Sequence, residues 1–225
     1  MYREESAAVY PAMLRLQGKR CLIVGGGRVA ERKLLGLLEG GADDVVLISP
    51  DATELIRRLA SDEQAVRWLQ RRYRPGDAAE ARLVFAATND RAVNRAVVEE
   101  AESLGQWANA ADESERGGFV AAAVVRRGPL VIAASAAGAS PALAMRVKRE
   151  LERRYGAPYA AAAAKLGELR RAALSRVDDP RLRRDVLRLA AERAADGAEA
   201  GWAHAGIPES AEQWLELLLQ EMNGG

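Results

Sequence analysis

Over its first half the chain alternates short apolar runs with stretches of helical period. Cys21–Val24 is a continuous apolar run, the signature of a parallel strand covered on both faces. Three glycines follow, then a helix over Val29–Leu38 that Gly40-Gly41 stops, then a second apolar strand over Val45–Ile48. Asp51-Ala-Thr-Glu54 resembles a capping box for a helix reaching Ala60. Val66–Trp68 reads as a short strand and Leu83–Thr88 as another buried one. Asn89-Asp90 opens a helix that runs through Leu104 and ends at Gly105, and Trp107–Ala111 is the next strand. Alternation of this kind predicts an α/β fold, a Rossmann-like doubly wound parallel sheet.

The pattern changes after Asp112. Phe119–Val125 and Leu130–Ser135 are β-rich runs joined by Arg126-Arg127-Gly128-Pro129, which predicts a hairpin or a pair of adjacent antiparallel strands, with Pro129 at the turn or the strand start. Ser140-Pro141 reads as an N-cap with proline at the first helical position. The helix they start extends to Tyr155, turns Leu143, Val147, Leu151 and Tyr155 toward one side, and stops at Gly156. From Pro158 onward the chain reads as helices rich in Ala, Leu and Arg, broken near Asp178-Asp-Pro180 and across Gly197–Pro208. The last of them, Glu209–Met222, carries Trp214, Leu215, Leu218 and Met222 at core spacing. Three segments follow from this reading: 1–117, a dinucleotide-binding domain; 118–156, a small α+β unit; and 157–225, a helical C-terminal domain.

Composition narrows the class. The chain has 225 residues, 29% of them charged, and a net charge of +1, so no nucleic-acid partner follows from its overall balance. Its basic residues are almost all arginine. The single cysteine, Cys21, falls inside the first strand, where packing in a reducing cytoplasm is its expected role. There is no Cys/His cluster for a metal site, and the one histidine, His204, reads as a surface residue. The N-terminus shows no charged-then-apolar leader, and no run approaches the ~20 apolar residues of a membrane span. These features together predict a cytoplasmic location.

Candidate chemistry gathers where the strands end. Gly25, Gly26, Gly27 and Ala30 give a Gly-x-Gly-x-x-Ala spacing between strand and helix. The glycines allow a tight turn and close approach to a pyrophosphate, and Arg28 and Val29 begin a helix whose N-terminus favours anions. Pro50-Asp51 ends the second strand. Asp51 either accepts hydrogen bonds from an adenosine ribose, which would favour NAD over NADP, or caps its helix. Thr88 and Asn89 border the cofactor crevice or cap the next helix. Asp112 either handles a proton at the mouth of the sheet or is a turn residue, with Asn109 placed to orient a neighbour. Ser135-Ala-Ala-Gly-Ala-Ser-Pro141 is a small-residue loop with room for a bulky ligand, or a tight strand-to-helix connection. Arg126, Arg127, Arg146, Lys148 and Arg149 are solvated charges or partners for a polyanionic substrate.

Gly-Gly-Gly-Arg-Val-Ala-Glu-Arg-Lys (25–33), Leu-Leu-Glu-Gly-Gly-Ala (37–42), Ala-Ala-Thr-Asn-Asp (86–90), Asn-Ala-Ala-Asp (109–112) and Ser-Ala-Ala-Gly-Ala-Ser-Pro (135–141) occur in an order that resembles the precorrin-2 dehydrogenases, the dehydrogenase/ferrochelatase modules of siroheme synthases. The resemblance covers roughly residues 8–155. It implies oxidation of precorrin-2, a tetrapyrrole, to sirohydrochlorin with NAD as hydride acceptor, on the way to siroheme or cobalamin. It also implies a homodimer in which residues 118–156 form the dimerisation segment. It assigns catalysis to Asp112 and cofactor contacts to Gly25–Val29, Pro50, Asp51, Thr88 and Asn89. The substrate positions are Asn109, Ser135, Gly138, Ser140 and Arg146. Some members also insert Fe²⁺. Here Ala136 replaces a hydroxyl and Ala137 a frequent glycine of the loop, which tells against chelatase activity more than against the dehydrogenase. Residues 157–225 leave no room for a methyltransferase domain, so uroporphyrinogen methylation is expected from another protein. The competing reading is a non-catalytic NAD-sensing module acting through its helical tail.

Overall fold

A computed structural model describes residues 9–111, 117–199 and 207–223; Asp112 and His204 lie outside them. The chain forms two compact units, Met1–Ala121 with Ser135–Ser140, and Ala122–Ala134 with Pro141–Gly225.

The first unit is built on five parallel strands. They are β1 (Cys21–Val24), β2 (Val45–Ile48), β3 (Val66–Leu69), β4 (Leu83–Ala86) and β5 (Trp107–Ala110), in the order β3-β2-β1-β4-β5. Apolar residues at every position of β1, β2 and β4 are buried because both sheet faces are covered. On one face Cys21, Ile23, Val45, Leu47 and Phe85 pack with Ala30, Leu34 and Leu37 of α1 (Arg28–Glu39) and Ile56 of α2 (Glu54–Asp62). On the other, Leu22, Val24, Val46, Ile48 and Val84 pack with Val97, Val98 and Ala101 of α3 (Arg91–Ser103). Each large aliphatic side chain buried this way contributes roughly 1.5–3 kcal/mol. Burial also pushes the Cys21 thiol up to about 11, with Asp44 and Asp43 adding to it, so the sulfur is a packing group rather than a nucleophile.

The structure corrects the helix caps. Thr53, not Asp51, caps α2 by accepting from the Ile56 N–H, because Asp51 is drawn off by the Ala52 N–H and by Arg57. Asp90, not Thr88 or Asn89, caps α3 by accepting from the Ala92 and Val93 N–H groups. Thr88 is held instead by Asn94, one turn inside α3. Phe119 belongs to no strand: its ring meets Phe85 edge-on, centroids 5.3 Å apart, within the first unit.

In the second unit β6 (Ala123–Arg127) and β7 (Leu130–Ala134) form the expected antiparallel hairpin, with Arg127 opposite Leu130 across a Gly128-Pro129 turn. Helix α4 (Pro141–Arg154) begins at its proline and packs on both strands, yet none of its residues is buried, and Leu143 is 53% exposed. Of the four residues expected on one side of this helix, Leu143 is exposed and Val147, Leu151 and Tyr155 are half-buried. Helices α5 (Pro158–Arg176), α6 (Pro180–Glu199) and α7 (Ala211–Asn223) surround a separate core. Small residues let α5 and α6 approach closely, with Ala162, Ala172, Ala173, Ala190, Ala194 and Ala198 buried, while Trp214, Leu215 and Leu218 fill the α7 side. Among the described residues no helix is long and apolar enough to cross a membrane.

Arg127 ties hairpin to helix. Its Nε donates to the Tyr155 carbonyl at 2.7 Å and its Nη2 to that of Glu152 at 3.1 Å. These carbonyls lie at the C-terminal end of α4, where a cation complements the helix dipole and completes unpaired acceptors. Arg127→Leu should lower stability by about 2 kcal/mol, the scale of hydrogen bonds to a charged group. Thermal unfolding checks this, and an unchanged Tm would mean that water serves those carbonyls equally well.

Candidate dinucleotide-binding site

The strand order reverses at β1, which pairs with β2 on one side and β4 on the other. A ligand crevice is expected outside the carboxyl ends of the strands at such a point. The loop that leaves β1 there contains three glycines with different reasons for being glycine. Gly25 has φ +126°, and a Cβ on it would overlap the Ala87 carbonyl. A Cβ on Gly26 would overlap the Asp51 carbonyl. Gly27 has φ −85° and nothing within 4 Å of where a Cβ would sit. The protein's own packing therefore demands glycine at 25 and 26 but not at 27. Gly27 is also the N-cap of α1 and supplies no side-chain cap, which leaves the first N–H groups of the helix for a ligand. Ala30, fully buried, lets α1 lie close to the sheet. Open space and free donors at the start of α1 fit the pyrophosphate of a dinucleotide.

Asp51 follows β2 and Pro50, and its side chain is 81% exposed. Its carboxylate accepts from the Ala52 N–H at 2.8 Å and pairs with Arg57, and these two, in that order, hold it below the usual carboxylate range. Arg57 lies 5.9 Å from the Trp68 ring centroid, and Trp68 donates through Nε1 to the Ser49 carbonyl at 3.0 Å. The loop is thus braced from β3 while its carboxylate faces solvent and stays ionised.

Thr88 follows β4, its backbone and hydroxyl both bonded to the side chain of Asn94, which is only 2% exposed. Asn89 is exposed beside it. On β5, Asn109 is 8% exposed and engaged on both sides: Lys33 Nζ donates to its Oδ1 at 3.2 Å, and its Nδ2 donates to the Phe119 carbonyl at 3.1 Å. Gly25–Val29, Pro50-Asp51, Thr88-Asn89 and Asn109 thus all sit at the carboxyl end of the first unit's sheet. Asp112 lies outside the described residues.

The loop 135–140 is a tight turn grouped with the first unit. The Ser135 hydroxyl accepts from the Ala137 N–H at 3.1 Å, and Ala137 and Gly138 have φ of +49° and +87°. Arg146 is in the second unit, exposed and paired with Glu150 at 3.2 Å. Sequence reasoning missed Lys33, Arg57 and Asn94. For Lys33 the available signal was a lysine one residue before Leu34 on the inward side of α1; for Asn94, a polar residue on the apolar face of α3.

A family model for NAD(P)-binding domains, NAD_binding_7, matches residues 12–123. The siroheme synthase of Methylococcus capsulatus is 36% identical over 205 residues, 91% of this chain and 42% of that protein. That of Nitrosospira multiformis is 34% identical over 93% of this chain and 44% of its own length. The chain thus spans less than half the length of these relatives. The solved structure of SirC, a precorrin-2 dehydrogenase, superposes with a TM-score of 0.72 at 26% identity, covering 96% of this chain and 100% of SirC. The fold and the glycine loop define a nicotinamide-dinucleotide-binding protein of the Rossmann class. Within that class, the chain is similar to siroheme synthases over the part of their length that it spans, and to the precorrin-2 dehydrogenase SirC.

The glycines separate fold from binding. Gly27→Ala should leave Tm unchanged within a few degrees and weaken nicotinamide dinucleotide binding at least ~10-fold, whereas Gly26→Ala should unfold the first unit or lower Tm sharply. Thermal melts and NADH fluorescence titration read the two effects, and normal binding by Gly27→Ala would remove this loop from the ligand contact. Ala137 holds a left-handed conformation that costs an L-residue about 1 kcal/mol. Ala137→Gly should therefore stabilise the protein by about 0.5–1 kcal/mol in denaturant unfolding, less what glycine loses in chain entropy. A destabilised variant would show that the alanine methyl packs.

Proposed function

We propose that this protein is an NAD-dependent precorrin-2 dehydrogenase, oxidising precorrin-2 to sirohydrochlorin in siroheme or cobalamin synthesis. The observation that carries the reading is the open N-terminus of α1 at Gly27, in a chain that follows SirC over 96% of its length. In the reaction the substrate gives up a hydride and a proton, leaving sirohydrochlorin, NADH and H⁺. The nicotinamide supplies the hydride acceptor. The chain binds and orients it: Gly27 and the first turn of α1 take the pyrophosphate, with Arg28 and Val29 beside it. Pro50 and Asp51 take the adenosine ribose, and Thr88 and Asn89 line the crevice.

Asp51 is the reason for choosing NAD over NADP. Its exposed carboxylate, kept ionised by the Ala52 N–H and Arg57, suits the two ribose hydroxyls and repels a 2′-phosphate. By resemblance, Asp112 accepts the proton, and Asn109, Ser135, Gly138 and Ser140 are positions for the tetrapyrrole. Arg146 is a further partner for its carboxylates. A homodimer is part of the proposal: Leu143 and Met145 of α4 are exposed apolar side chains on a helix with no buried residue. The buried free thiol of Cys21 suits the cytoplasm as setting.

The test is anaerobic, with purified protein, enzymatically generated precorrin-2 and NAD⁺, following sirohydrochlorin and NADH absorbance together. Coupled appearance of both is expected, with NADP⁺ a poor substitute. Asp112→Asn should keep NAD⁺ binding and lose turnover by ~10²–10⁴-fold. NAD⁺ binding without turnover by the wild type would overturn the substrate, and full activity in Asp112→Asn would remove that residue from the mechanism.

A further inference from the structure

We infer that Lys33 is a positioning residue: its ammonium sets the Asn109 side-chain amide and, through it, the chain that returns to β5 at Gly117–Phe119. The catalytic consequence rests on the dehydrogenase reading; the positioning itself does not.

Lys33 lies in the second turn of α1, half-buried, with Leu34 and Leu37 of the same helix buried beside it. An ammonium has only donors, so the Asn109 atom that faces it at 3.2 Å has to be Oδ1. The amide nitrogen then points the opposite way, where it reaches the Phe119 carbonyl at 3.1 Å. The lysine and the Phe119 carbonyl select the same orientation from opposite sides, since a flip would set two donors together at Lys33 and two carbonyl oxygens together at Phe119.

The returning chain is built for this contact. Gly117 has φ +111°, and a Cβ there would overlap the Ala108 carbonyl of β5, so the backbone lies directly against the edge strand. Phe119 sits edge-on to Phe85, and Lys33 Nζ lies 5.0 Å from that same Phe85 ring centroid. Lys33 therefore touches both groups that hold the segment, the Asn109 amide and the Phe85 ring. Among the described residues no carboxylate pairs with it. Burial, and to a lesser degree Arg32, lowers its pKa below the ordinary lysine value. A half-buried cation is costly to hold in such a place, and leucine or methionine would fill the same space. The donor is what the position uses.

The experiment takes the full chain as wild type, Lys33→Met, Asn109→Ala, the double variant and Lys33→Arg. It measures kcat and KM for precorrin-2, Kd for NADH, and the ¹⁵N side-chain amide signal of Asn109, assigned by its loss in Asn109→Ala. Lys33→Met should lower kcat by about 10–100-fold, as expected for a small misplacement, with Kd for NADH within about twofold of wild type. The double variant should be no worse than the poorer single variant. Lys33→Arg, which keeps a donor, should stay within about fivefold of wild type and retain the amide signal, and it carries the test if Lys33→Met fails to fold. An unshifted Asn109 amide in Lys33→Met would overturn the positioning role, as would wild-type kcat or losses that multiply in the double variant. If the wild type does not oxidise precorrin-2, the functional reading fails and the amide signal alone decides the role of Lys33.

Discussion

The carbonyl oxygens of Ala87 and Asp51 press on the loop after β1 so closely that neither Gly25 nor Gly26 could carry a Cβ. That crowding follows from the sheet order. β1 lies between β2 and β4, so the chain leaving it has to pass between the chains leaving both neighbours. Further bonds fix the passage: the Gly25 N–H reaches the Ile48 carbonyl at 2.9 Å, the Ala87 N–H reaches that of Val24 at 2.8 Å, and the Thr53 N–H reaches that of Gly26 at 2.9 Å. One consequence is that α1 starts where its first N–H groups open at the mouth of the sheet. Another is that Asp51 and Thr88 sit on either side of that opening. The geometry of this opening is thus a by-product of three strand ends converging on two glycines.

The parts of this arrangement that were legible in sequence are those written in a single local pattern. β1, β2 and β4 are apolar at every position because both faces are buried, and the glycine spacing marks the turn whatever surrounds it. The caps were less legible. Asp51-Ala-Thr-Glu54 contains two plausible capping residues, and the choice of Thr53 depends on Arg57 and the Ala52 N–H drawing Asp51 away. Phe119 reads as strand on composition, but its place is set by Phe85, far away in sequence. Lys33 and Asn94 escaped notice because their partners are carbonyls and amides on other elements, which leave no periodicity behind.

The second unit shows a different economy. Six alanines of α5 and α6 are buried there beside Leu169 and Val186, and close approach of the two helices lets backbone and methyl groups fill much of the space. Large side chains are concentrated on α7, where Trp214, Leu215 and Leu218 close the core. α4 stands apart from that core and depends on the hairpin, with Arg127 bonded to the carbonyls at its C-terminal end.

Polar groups in the first unit fall into two kinds, and exposure separates them. Asn94 and Asn109 are buried, and each spends its amide on the protein itself, joining a strand end to a helix or to a returning segment. Asp51 is exposed and its neighbours hold it charged rather than cover it. Its bond to Arg57 is a surface ion pair and adds little stability. Its effect is to keep a carboxylate fixed and ionised at the open end of β2. A group maintained in that state, at the mouth of a parallel sheet, is available for an outside ligand in a way that the buried amides are not.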